Sequence, residues 1–175
     1  MKWVNHVVIG AAPCALAAPA LVPVAILGAT APDWLEWVGK ITGRPIKHRG
    51  PTHHLALWAI ALGFFAVVAD FGGIGAAFAW GGLSHVLADA LTVAGVPFSP
   101  LSDRRFHLLG GRLRTGGAGE FMVAWGLVVF CMLLALMFKG WGAGGYLPFF
   151  PDWAARYDRG EATAKEWRDN RLRLF

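Results

Sequence analysis

Two short stretches of this chain carry side chains able to do chemistry. "SHVLAD" sets His85 four residues before Asp89. On a helix, residues at i and i+4 share a face, with Cβ atoms about 5–6 Å apart. An imidazole and a carboxylate so spaced can share a divalent cation, as paired histidines do on helices that bind zinc. A His–Asp hydrogen bond that merely braces the helix is the competing reading. "HRGPTHH" gathers His48, Arg49, Thr52, His53 and His54 around a Gly-Pro turn. His48 and His53 are candidate ligands, and Thr52 can cap the helix that His53 opens. Arg49 is a fixed cation suited to holding a phosphate through two parallel hydrogen bonds, with lipid headgroups as its ordinary partners otherwise. His54 points about 100° away from His53 on a helix and is expected behind the ligands or at the interface.

"APDWLE" supplies two acids, Asp33 after Pro32 and Glu36 three residues later. Either can complete a metal shell, act as general base, or bridge two ions about 3.5–4 Å apart. Solvated acidic caps are the alternative for both. His6 near the N-terminus is unremarkable alone and becomes a fourth candidate imidazole in this company. His107, in "DRRFHLLGG", reads as a surface residue facing headgroups.

These residues need a scaffold, and the composition says which kind. The chain has 175 residues, is 56% hydrophobic and is only 15% charged, against roughly 25% charged for a soluble domain. A soluble protein this small could not hide so much apolar surface. Nine Trp, twelve Phe and 23 Gly suit membrane helices. The fold expected is all-α: a polytopic membrane bundle of about four to five apolar helices, opening with a short helical hairpin. Val7 to Ala31 is uncharged but holds Pro13, Pro19 and Pro23, so two helices over about 3–17 and 20–32 are expected rather than one crossing. An A-x-A pattern at 15–17 raises a signal peptide; Asn5, His6 and the uninterrupted run to Ala31 oppose cleavage. Further helices are expected from Thr52 to Ala69, from Phe71 to about Gly95, and from Phe121 to Phe138, with a turn at Asp70. Residues 1–138 would form the membrane-embedded domain. Residues 139–175 would form an interfacial or re-entrant segment and a charged tail. Cys14 and Cys131 read as small buried hydrophobes.

Positive charges orient this bundle. Lys2, the loop with Lys40, Arg44, Lys47 and Arg49, and the loop with Arg104, Arg105, Arg112 and Arg114 contrast with turns near Pro19 and Asp70 that lack Lys and Arg. The positive-inside rule then puts the basic loops in the cytoplasm. His6, Asp33, His48, His53, His85 and Asp89 would meet at that one end.

"HRGPTHH" followed by "GGLSHVLADALTVAGVPFSPL" resembles the YdjM family, bacterial inner-membrane proteins regarded as metal-dependent hydrolases. The resemblance covers about residues 3–125. It implies a site of His6, Asp33, His48, His53, His85 and Asp89, with Arg49, Thr52, Ser84 and Thr92 nearby. Two positions depart from the pattern: Leu35 and Glu36 stand where an acid and a histidine are usual, and His54 replaces a serine. The order His6, Asp33, His48, His85–Asp89 is also similar, more distantly, to zinc-dependent phospholipase C enzymes.

The function expected is hydrolysis of a phosphoester or related ester, such as a lipid headgroup, by water that a metal activates at the cytoplasmic interface of the inner membrane. Asp33, Glu36 and Arg49 would be the catalytic groups. The cofactor would be one or two divalent ions, zinc first, with manganese or magnesium as alternatives. Membrane lipids are the expected partners and nucleic acid is not. An ion or proton path through the same His/Asp cluster, or an anchor that recruits a cytosolic protein, are the rival readings.

Overall fold

A computed structural model of the chain describes residues 1–44, 46–47, 49–67, 73–137, 157 and 159–166. The expected turn at Asp70, His48, and most of the 139–175 tail lie outside the described residues. What is described is mostly helical.

Helix α1 spans Trp3–Ala17. A single 3-10 turn at Pro19–Leu21 reverses the chain into α2, Val22–Ile41, so the hairpin forms at the prolines as expected. Pro23 fits the first turn of α2, where a missing N–H costs nothing. The end of α2 differs from the expectation. Pro32 does not break the helix, which continues for more than two further turns and carries Asp33 and Glu36 on its body. The interruption comes at Gly43 instead, which takes φ +73°. There Arg44 N–H bonds to the Gly39 carbonyl at 2.8 Å and Gly43 N–H to that of Lys40 at 3.3 Å, the paired bonds of a glycine C-cap. Proline removes one hydrogen bond from a helix; tertiary packing around buried Pro32 offsets that loss.

After the basic loop, Pro51–His53 forms another 3-10 turn and α3 runs Leu55–Val67. Thr52 therefore caps no helix, and His53 precedes α3 rather than opening it. Helix α4 is Ile74–Ala90. The stretch beyond it corrects the all-α expectation: β1, Val96–Ser99, pairs antiparallel with β2, Ser102–Phe106. Pro97 and Pro100 forbid continued helix but suit a short edge hairpin. Leu113 then returns to the end of α4, its N–H on the Leu91 carbonyl and its own carbonyl taking the Val93 N–H, both at 3.0 Å. Helix α5 closes the described bundle at Ala118–Met137.

Packing is closest between α2 and α4. A Cβ on Gly28 would collide with the Phe78 backbone, and one on Gly81 with the Ala25 carbonyl and the Ala29 amide. Small residues at such a seam let helix backbones touch. The outer surface is the converse. Helix α3 buries none of its residues, and α5 leaves Met122, Trp125, Val129, Phe130, Leu133 and Leu136 exposed. At 20 residues α5 is the one described helix long and apolar enough to cross a bilayer; α1 and α3 are apolar but shorter. Cys14 and Cys131 are buried free thiols.

Candidate metal centre

The first turn of α1, the middle of α2, the Pro51–His53 turn and the last turns of α4 end at one place. His6, His53 and His85 are each at most 1% exposed there, and Asp89 is 3% exposed. The His6 and His85 rings stack with centroids 3.7 Å apart, and His53 meets His85 edge-on at 5.2 Å. Asp33 Oδ1 lies 3.5 Å from His53 Nε2 and 3.7 Å from His85 Nε2. Asp89 Oδ1 lies 3.5 Å from His6 Nε2, and its Oδ2 4.0 Å from His85 Nε2. Among the described residues two groupings able to hold a cation result: Asp33, His53 and His85, and His6, His85 and Asp89. Donors around a tetrahedral zinc sit roughly 3.3 Å from one another, given bonds of about 2.0–2.1 Å. The Asp33 grouping is close to that spacing.

Each donor of the first grouping is braced from behind. His85 Nδ1 is 2.7 Å from the Ala29 carbonyl, so it carries the proton and leaves Nε2 as the lone pair. That Nε2 is buried and has no hydrogen-bond partner among the described residues. His53 Nδ1 is 3.1 Å from Glu36 Oε1 and 3.0 Å from Thr52 Oγ1, which fixes the same tautomer. Trp3 Nε1–H donates to Asp33 Oδ2 at 2.6 Å, turning Oδ1 toward the histidines. Such outer partners set ring orientation and basicity at metal sites. Imidazole nitrogens with a carboxylate are a donor set that suits zinc.

The remaining expected residues sort by what they touch. Glu36 Oε1 accepts from the Arg49 backbone N–H at 2.9 Å and from Thr52 Oγ1 at 3.3 Å as well as facing His53. It therefore stands behind His53, outside both groupings, and the bridging position expected for it is not where it lies. Arg49 takes φ +54°, a conformation that costs a non-glycine residue about 1–3 kcal/mol unless its surroundings enforce it. Its Nη2 meets Asp89 Oδ2 at 3.0 Å, while Nη1 reaches the Gly95 carbonyl at 3.3 Å and Thr92 Oγ1 at 3.5 Å. Thr92 thus supports Arg49, and its own hydroxyl donates to the Asp89 carbonyl at 2.7 Å. The Met1 amino group also contacts Asp89 Oδ1. Ser84 does not serve the cluster: its hydroxyl bonds to Gly81 O at 2.7 Å within its own helix. His54 joins neither grouping, and burial and the adjacent His53 lower its pKa. His107 is exposed on one side and lies over Gly95 and Gly111 on the other.

A cavity of about 510 Å³ opens onto this cluster, lined by Met1, His6, Asp33, Arg49, Asp89, Ala94, Arg105 and Thr115. Trp3 and Arg105 are the participants that motif reading missed. Trp3 had a usable signal, since it precedes His6 by three residues and so shares its helix face. Arg105 had none beyond its charge.

A family model described as YdjM inner membrane protein matches residues 1–144. The inner membrane protein YdjM of Escherichia coli (strain K12) is 39% identical over 103 residues, covering 50% of this chain and 53% of that protein. The protein of the same description from Shigella flexneri matches equally. The chain thus matches about half the length of these curated relatives. No solved structure matches.

Proposed function

This chain belongs to the YdjM inner membrane protein family, and from that premise we propose a multi-pass bacterial inner-membrane hydrolase that cleaves a phosphoester with a divalent metal. Its basic loops and site face the cytoplasm, where headgroups are within reach. The observation that carries the reading is the lone pair of His85 Nε2, buried and without a hydrogen-bond partner among the described residues, 3.7 Å from Oδ1 of Asp33, which lines the open cavity. A buried polar atom without a partner costs about 1–3 kcal/mol, a cost that a cation would offset.

Asp33, His53 and His85 would hold the ion. The His6–Asp89 grouping draws on the same nitrogen of His85, which can serve one ion at a time, so one ion per chain is expected from the described residues. Asp89 is also occupied by Arg49, which favours the Asp33 set. A bound divalent ion supplies a Lewis acid and water that ionises near neutral pH. Arg49, held in place by Thr92 and Gly95, stabilises negative charge developing on a phosphoryl oxygen. His6, on the cavity wall with Asp89 beside its Nε2, is placed to accept and return a proton there.

Glu36 positions His53, so Glu36→Gln should weaken metal binding about tenfold to a hundredfold without removing a ligand. Chelator competition measures this, and wild-type affinity in the variant would remove Glu36 from the site. The reading as a whole is tested by elemental analysis of the detergent-purified chain and by its turnover of bis(p-nitrophenyl) phosphate with zinc, manganese or magnesium. One metal equivalent and chelator-sensitive turnover are expected. Absence of bound metal, with a melting temperature indifferent to chelator, refutes it. An ion path would need polar groups continuing to the other end of the helices, and the groove there is lined by Pro13, Cys14, Leu21, Leu62, Ala77 and Trp80.

A further inference from the structure

Of the candidate metal donors, His6, Asp33 and Asp89 line the cavity; the same wall holds a feature they do not explain. Arg105, on β2, directs Nη1 to the Gly95 carbonyl at 3.3 Å and to the Ala94 carbonyl at 3.2 Å. Arg49 Nη1 uses the same Gly95 carbonyl, also at 3.3 Å. Two guanidinium groups from distant parts of the chain are therefore drawn together on one oxygen, and both line the cavity with His6, Asp33 and Asp89. Like charges at that proximity repel, and of the two only Arg49 has a carboxylate to offset it among the described residues. Arg105 has no acidic partner among the described residues.

The backbone is built to bring this about. Gly95 takes φ +58°, a conformation glycine adopts without strain, and a Cβ there would strike the His107 ring. The β-bulge between Pro97 and Ser99 and the Leu113 bonds to the end of α4 hold the hairpin beside the cavity that Ala94 and Arg105 line. Alternation along β2 sends Arg104 and Arg105 to opposite faces, so one arginine is committed to the cavity while its neighbour is not.

We propose that Arg105 and Arg49 form a two-guanidinium clamp that selects substrates by a phosphoryl oxyanion and seats it in the cavity. Forked guanidinium donors match phosphate oxygens in pairs, and a divalent ion beside them leaves the cavity net positive. The clamp rests on the hydrolase reading for its purpose, but it binds anions whether or not that reading holds.

The test is calorimetric titration of inorganic phosphate into the full chain in phosphatidylcholine nanodiscs, with and without zinc, and with metal content measured separately. Arg105→Gln should raise the Kd for phosphate at least about tenfold, and Arg105→Lys should fall between it and the wild type because it keeps charge without the fork. Arg104→Gln should leave the Kd unchanged. Equal losses at Arg104 and Arg105, an Arg105→Gln protein that binds like wild type, or no phosphate binding by the wild type would each overturn the clamp. Phosphate binding through Arg105 by a chain that holds no metal would sink the hydrolase reading and spare this one. Bound metal with phosphate binding indifferent to Arg105 would do the reverse. Competition by phosphatidic acid in the nanodisc identifies a lipid headgroup as the source of the oxyanion, and competition by sn-glycerol 3-phosphate alone identifies a soluble ester; competition by neither overturns the proposal.

Discussion

His85→Ala is expected to lower metal affinity by more than about a hundredfold and to abolish metal-dependent turnover. Loss of an outer-shell partner costs about 10–100-fold, and His85 is itself a donor common to both groupings. Its removal leaves Asp33 and His53 on one side and His6 and Asp89 on the other, two donors each, with no third protein group among the described residues to close either set. The same change deletes a ring stacked on His6 and the bond to Ala29 O, so some loss of stability accompanies it. His85→Gln separates the two effects, since an amide retains much of the volume and can still donate to Ala29. If His85→Gln melts like the chelator-treated wild type yet binds no metal, the ligand role stands. Full metal occupancy in either variant would end it.

Gly81→Val should be the most damaging substitution away from the cluster. The new Cβ meets the Ala25 carbonyl and the Ala29 amide, which are backbone atoms of a packed helix and cannot swing aside. Overpacking usually costs about 1–3 kcal/mol, and here the upper end or more is expected. Its consequence reaches the site, because His85 lies one turn beyond Gly81 and is oriented by Ala29. A lowered melting temperature and weakened metal binding should therefore appear together. Gly126→Ala on α5 is the control, since a Cβ there meets nothing within 4 Å and alanine favours helix. Wild-type melting of Gly81→Val would mean that α2 and α4 are not packed backbone to backbone.

Much of the site could be read along the chain. Ionisable side chains are costly among apolar helices, so the histidines and acids of "HRGPTHH", "SHVLAD" and "APDWLE" stood out, and charge placement suggested that they share one end. Helical spacing put His85 and Asp89 on one face, where they lie 4.0 Å apart, and the apolar runs gave the approximate limits of α1, α3 and α5, whereas α4 ends at Ala90, short of the expected Gly95. The continuation of α2 through Pro32 was not readable, because a proline's local penalty was visible and the packing that offsets it was not. The 3-10 turn at His53 and the hairpin after α4 were missed for a different reason: stretches this short next to proline have no decisive period.

What the sequence determined by itself was the inventory: an apolar chain, its helical segments, and the few groups in it that could bind a cation. Tertiary structure alone decided how those groups are used. Glu36 became the support of His53 rather than a bridge, Trp3 became the partner of Asp33, and Arg105 came to share a carbonyl with Arg49. Each assignment depends on the direction of a side chain across a contact between distant segments, and hydrogen bonds are directional over a few ångströms. Residue type and spacing specify which groups a helix face presents; only the packed arrangement specifies which lone pair remains free.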